Sequence, residues 1–246
     1  MGPLYLLYKI YFVIIFLLTT LLLYPLFYFL LKKEKWFPIA FRWKRFWARL
    51  MGILHLIPTS VKGKEHLKLD GPFLLVANHC SYLDIIKMYR ITPAYFSFMG
   101  KAELLKWPLF KIFFTKKMDI AVHRGNSKAA LAAVHAAAEK IDQGQSVAIF
   151  PEGTIPSNVP NMMRFKNGAF KIAIEKQVPI IPVTFMDNWK RLSDPENLFD
   201  IAGPGLCRII IHPPVHTTGL KEEDLVTLRD STRDIIFQPL KDKYKL

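Results

Sequence analysis

Ile10 to Leu31 is a run of 22 residues without a single charge. As a helix rising ~1.5 Å per residue it extends about 33 Å, the thickness of a bilayer's hydrocarbon core. Lys9 stands before the run, and Lys32, Lys33 and Lys35 close it. No small-residue cleavage site ends it, which separates it from a removable leader. Residues 1–31 are therefore read as a membrane-anchoring helix, with Pro25 a point where it could kink.

Residues 32–58 follow with a different chemistry. Trp36 to Leu56 interleaves Trp36, Trp43 and Trp47 with Arg42, Lys44, Arg45 and Arg49. Rings at headgroup depth and cations on anionic lipid suit a membrane-interface helix. The same alternation could stack and clamp single-stranded nucleic acid. Next to an apolar run of this length the membrane is the expected partner, and nucleic acid is not. The plain alternative is a Trp-rich helix packed on the domain. Positive flanks face the cytoplasm, so the rest of the chain is expected on the cytoplasmic side of the cell membrane.

Residues 59–246 read as one catalytic domain. Half the 246-residue chain is hydrophobic, which excludes wholesale disorder. Two distant cysteines, Cys80 and Cys207, exclude a disulfide scaffold or zinc knuckle. Apolar runs at Phe73–Ala77, Ser146–Phe150, Ile180–Phe185 and Cys207–His212 predict buried strands. Ser127–Gln143, Phe165–Lys176 and Leu220–Leu240 predict helices. This alternation predicts an α/β fold, a mixed β-sheet flanked by α-helices, behind the N-terminal hydrophobic helical region.

Three segments could carry chemistry. Asn78-His79-Cys80-Ser81-Tyr82-Leu83-Asp84 leaves the first of these strands. On one continuous helix His79 and Asp84 would lie about 140° apart. They meet only if His79 sits in the turn and the helix starts near Ser81. Asp84 would then fix the imidazole tautomer and make a general base. The residues by themselves equally fit a capping box, Ser81-x-x-Asp84, beside a buried histidine. Phe150-Pro151-Glu152-Gly153-Thr154 ends a second strand with a carboxylate and a flexible turn. Val122-His123-Arg124 precedes the Ala-rich helix, where an arginine beside a helix N-terminus suits a phosphate. Lys101, Arg164 and Lys166 are further cations. No nucleophile elbow, zinc pair, phosphate loop or dinucleotide fingerprint occurs.

Together these segments resemble the PlsC-type 1-acyl-sn-glycerol-3-phosphate acyltransferases. That family's N-H-x4-D matches Asn78, His79 and Asp84, and its F-P-E-G-T matches Phe150 to Thr154. Its short strand ending in Arg matches Ala121 to Arg124, preceded by Lys101-Ala-Glu-Leu104. Its V-P-[IV]-[IV]-P-V matches Val178 to Val183. The resemblance implies acyl transfer from acyl carrier protein or CoA to the sn-2 hydroxyl of lysophosphatidic acid, in phospholipid biosynthesis. His79 would be the base and Asp84 its partner. Backbone N–H groups of the His79 turn would hold the oxyanion, Glu152, Gly153 and Thr154 the glycerol, and Arg124 with Lys101 the phosphate, with Arg164 or Lys166 supplying the further charge. No metal or redox cofactor is implied, with the acyl thioester as co-substrate. The chain departs from the family at Ile155, where an arginine usually follows F-P-E-G-T. That keeps other acceptors open: another lysophospholipid, glycerol 3-phosphate or an aminolipid. A thioester hydrolase and a non-catalytic lipid-binding protein are the further alternatives. A net charge of +14 fits an anionic lipid surface.

Overall fold

The computed structural model describes residues 2–123, 127–193 and 198–246. Seven strands form one sheet: β1 Thr59–Lys62, β2 Leu74–Ala77, β3 Phe96–Lys101, β4 Ile120–Val122, β5 Ser146–Ile149, β6 Ile180–Phe185 and β7 Cys207–Ile211. Their order is β1-β7-β6-β2-β5-β3-β4. All neighbours are parallel except β6 and β7. Pro182 lies inside central β6, where a missing N–H is normally excluded. The register against the following chain shifts by one residue there, between the Ile180–Val215 and Val183–Ile211 pairings. Such a bulge accommodates the proline.

Side chains of each strand alternate between two helical layers. Leu75, Ala77, Phe98, Ile181 and Val183 face α1 Gly2–Leu30, α2 Phe37–Leu54, α3 Leu83–Met88 and α4 Pro108–Thr115. Leu74, Val76, Val147 and Ile180 face α5 Ser127–Asp142, α6 Gly168–Lys176 and α7 Leu225–Tyr244. This is the expected mixed sheet between helices. The chain leaving β2 goes to α3 on one face, and that leaving β5 goes to α6 on the other. The carboxyl ends of these adjacent strands therefore open a crevice between diverging loops, the usual place for a site in such sheets.

α1 runs unbroken through Pro25. Its amino end is pinned by Tyr8 Oη donating to the His55 carbonyl at 2.8 Å and Lys9 Nζ donating to Ser193 Oγ at 2.8 Å. Its carboxyl end buries Phe27 against Phe113, with ring centres 5.2 Å apart. The opposite side, including Leu4, Val13, Leu18 and Leu22, is exposed. α2 lies alongside α1, where Trp47 Nε1 donates to Thr19 Oγ1 at 3.0 Å.

α2 divides its aromatic and basic residues between an exposed side and a buried one. Trp43 and Phe46 are exposed, but Phe37, Phe41, Ala48 and Met51 are core. Lys44, expected on lipid, is 5% exposed and donates to Asp119 Oδ2 at 2.6 Å. It falls on the inward stripe of the helix, three and four residues from Phe41 and Ala48. A cation there is tolerable only with its carboxylate beside it.

Candidate active site

The strand β2 is buried throughout, and the chain turns sharply as it leaves. Asn78 stabilises that exit by mimicking a strand pair. Its Nδ2 donates to the Phe185 carbonyl at 3.1 Å, and its Oδ1 accepts from Phe185 N at 2.7 Å. His79 therefore starts in the turn and α3 follows it, so the 140° separation of a continuous helix does not apply. His79 Nδ1 lies 2.9 Å from Asp84 Oδ2.

Asp84 is completely buried and multiply bonded. Oδ2 also accepts from Cys80 N at 2.6 Å and Ser81 N at 2.9 Å, while Oδ1 accepts from Asn188 Nδ2 at 2.7 Å. The two readings of Ser81-x-x-Asp84 are thus one structure: the same carboxylate caps the turn and holds the imidazole. Four donors offset the cost of burying the charge. The histidine ring stacks on Phe150, with centres 4.3 Å apart and planes 13° from parallel. Phe150 is the first residue of F-P-E-G-T, so both signature segments meet at this ring.

Glu152 corrects an expectation. It was expected to hold substrate, yet it is 1% exposed, and its oxygens accept from His79 N at 2.8 Å and Met163 N at 2.7 Å. It is a strut between the two strand exits. Burial pushes its carboxyl up to about 7, against the two hydrogen bonds that favour the charge. The His79 turn is corrected too. The N–H groups of His79, Cys80 and Ser81 all end on carboxylates, so they are committed and do not face an oxyanion.

The raised Glu152 carboxyl predicts a pH signature. Between about 4.5 and 7 the folded protein retains a proton that the unfolded chain releases, so stability falls as pH rises through that window. The difference between wild type and Glu152→Gln should narrow by about 2 kcal/mol from pH 5 to pH 8 in denaturant titrations. Identical pH dependence in the two proteins would remove the strut's charge from the account.

The remaining candidates separate clearly. Gly153 has φ +76°, the backbone conformation that selects glycine, and a Cβ there would sit 2.7 Å from Nζ of the exposed, movable Lys166 side chain. The Lys166 ammonium thus rests directly on the F-P-E-G-T turn, and its backbone N donates to the Pro151 carbonyl at 2.9 Å. Thr154 is exposed beside it. Arg164 is exposed and contributes charge near Asp230 on α7. Lys101 ends β3, on the far side of β5 from β2, 3.5 Å from Glu103. Arg124 lies outside the described residues. Val178 to Val183 is core, mostly the fully buried strand β6.

Two side chains flanking His79 are chemically committed. Ser81 Oγ donates to the Leu192 carbonyl at 2.5 Å and accepts from Leu83 N at 3.0 Å. Burial pushes the Cys80 thiol well above its ordinary value. Neither is an activated nucleophile. Asn188 went unread in the sequence. It belongs to a short turn after β6 and carries no motif, so only the folded sheet brings it to Asp84.

Residues 58–186 match the family model described as Acyltransferase. A Caenorhabditis elegans protein described as a 1-acyl-sn-glycerol-3-phosphate acyltransferase is 33% identical over 198 residues, 80% of this chain and 68% of its own length. The chain belongs to that acyltransferase family. The alpha enzyme of the same description from Mus musculus is 34% identical over 188 residues, 73% of this chain and 62% of the relative. The chain thus spans about two thirds of the length of these relatives. The crystal structure of PlsC from Thermotoga maritima, described as a 1-acyl-sn-glycerophosphate acyltransferase, superposes with a TM-score of 0.82. It covers 99% of this chain and 98% of that one at 23% identity, so it supports the acyltransferase fold rather than a substrate.

Proposed function

We propose that the chain transfers a fatty acyl group from a thioester, on acyl carrier protein or CoA, to the sn-2 hydroxyl of lysophosphatidic acid, giving phosphatidic acid. The single observation that carries this reading is the His79–Asp84 pair, joined at 2.9 Å at the mouth of the β2–β5 crevice. Asp84 accepts the Nδ1 proton, which leaves Nε2 as the basic nitrogen. Nε2 takes the hydroxyl proton while the oxygen attacks the thioester carbon. The C–S bond then breaks, and the sulfur leaves with the proton returned by the imidazolium. No acyl-enzyme intervenes, consistent with the committed Ser81 and Cys80 side chains.

Lys166 is the cation best placed to replace the arginine missing at Ile155, because it packs on Gly153 itself. Phosphate hydrogen bonds to a charged donor are worth about 1.5–3 kcal/mol. Lys166→Ala is therefore expected to raise the KM for lysophosphatidic acid about 10- to 100-fold and leave the donor KM unchanged. Equal effects on both substrates, or no effect, would remove Lys166 from the phosphate site. The function is tested by turnover against lysophosphatidic acid, other lysophospholipids, glycerol 3-phosphate and an aminolipid, each with acyl carrier protein and CoA donors. Phosphatidic acid is the expected product, and preference for another acceptor would reassign the substrate.

In this reading the catalytic domain works on the cytoplasmic face of the membrane, held by the α1–α2 pair. Both ends of α1 contact the same domain, which supports a helix lying along one leaflet with its exposed apolar side in lipid. The anionic lysolipid then reaches the crevice without leaving the bilayer.

A further inference from the structure

A cavity of about 380 Å³ opens between the end of α2 and the start of β1, and its lining includes none of the residues that build the His79 site. Its walls are largely apolar, from Ala48, Ile53, Leu56 and Pro58, and it is also lined by the guanidinium-bearing Arg49 and Arg90. Arg45 stands close by, its Nε donating to the Tyr89 carbonyl at 3.3 Å. Among the described residues, none of the ion pairs includes Arg45, Arg49 or Arg90. Partial burial disfavours the charges of Arg45 and Arg90, and Arg49 repels both. Three cations held together without a carboxylate are an unfavourable cluster that an anion relieves. The nearby exposed side chains are apolar: Trp43, Phe46, Ile53 and Leu56.

We propose that this cavity binds one anionic phospholipid, its phosphate on Arg49 and Arg90 and its glycerol end against the apolar wall. The volume suits a headgroup and the first chain carbons, and not a whole lipid. The remaining acyl chain continues along the exposed side of α2 into the leaflet. Its lining shares no residue with the His79 site, so the lipid it holds is a resident one and not the reacting one. The proposal rests on the membrane-facing reading of α1 and α2 but not on the acyl-transfer chemistry.

The test is calorimetric titration of the whole chain with dihexanoyl phosphatidylglycerol below its micellar concentration. Wild type should bind with 1:1 stoichiometry. Removing both charges with Arg49→Gln and Arg90→Gln should weaken binding about 20-fold. A matched double variant on the opposite layer, Lys128→Gln with Lys171→Gln, should stay within about twofold of wild type. Should the arginine pair not fold, Arg49→Gln alone is read, since Arg49 is exposed. Absence of lipid binding by wild type, or equal weakening in both double variants, would overturn the site. So would inorganic phosphate or dihexanoyl phosphatidylcholine binding as tightly as the anionic lipid. CoA binding that is lost in the arginine variant while lipid binding persists would overturn it in favour of the donor. Because binding is read without turnover, failure here leaves the His79 assignment standing, and an inactive His79 variant leaves this site standing.

Discussion

His79→Ala is expected to lower acyl transfer about 10²- to 10⁴-fold, the span a positioned general base contributes. The variant should fold, because the lost ring lies at the crevice and its partners keep other bonds. Asp84 retains Cys80 N, Ser81 N and Asn188 Nδ2. Donor and acceptor KM should change little, since the ring acts on the proton in flight and not on resting substrate. Initial rates with thioester and lysophosphatidic acid, normalised to folded protein, check this. A variant with near wild-type turnover would show that another group takes the proton.

Asp84→Asn is expected to cost about as much in rate, with a smaller cost in stability. An asparagine can present its oxygen where Oδ2 now collects three donors. Its amide would then face Asn188, whose Oδ1 is buried without a partner in the described structure. Flipping the Asn188 amide turns that oxygen toward the new donor, so the fold absorbs the change for about 1–3 kcal/mol. The imidazolium loses its counter-charge, however, and turnover per folded molecule should drop by about 10²-fold or more. Thermal melting and single-turnover rates on the same preparation separate the two effects. A domain that unfolds while its folded fraction turns over normally would reduce Asp84 to a turn cap.

Local patterns explain which parts of this fold could be read from the chain. β6 is a run of apolar and β-branched residues, and the predicted Ile180–Phe185 coincides with the strand. β1, Thr59–Lys62, is a half-exposed edge with no apolar run, and it is a strand only because β7 pairs with it. β4 is three residues long and takes its conformation from β3. The dyad was legible because its partners are five residues apart in one turn. Asn188 was not, since its contact with Asp84 spans 104 positions. From the chain alone Glu152, a carboxylate at a strand end, looks like a ligand, and only the two N–H groups aimed at it reveal a strut. Lys44 is hidden in the same way, because composition shows a basic helix but not which side of it meets Asp119.

The most direct measurement is a single turnover of purified chain with a radiolabelled acyl thioester, in the presence and absence of lysophosphatidic acid. The account predicts label passing straight into phosphatidic acid, dependent on acceptor, with none retained on protein and negligible free fatty acid. Thioester loss at the same rate without acceptor, or label trapped on the polypeptide, would contradict direct transfer to a hydroxyl deprotonated by His79.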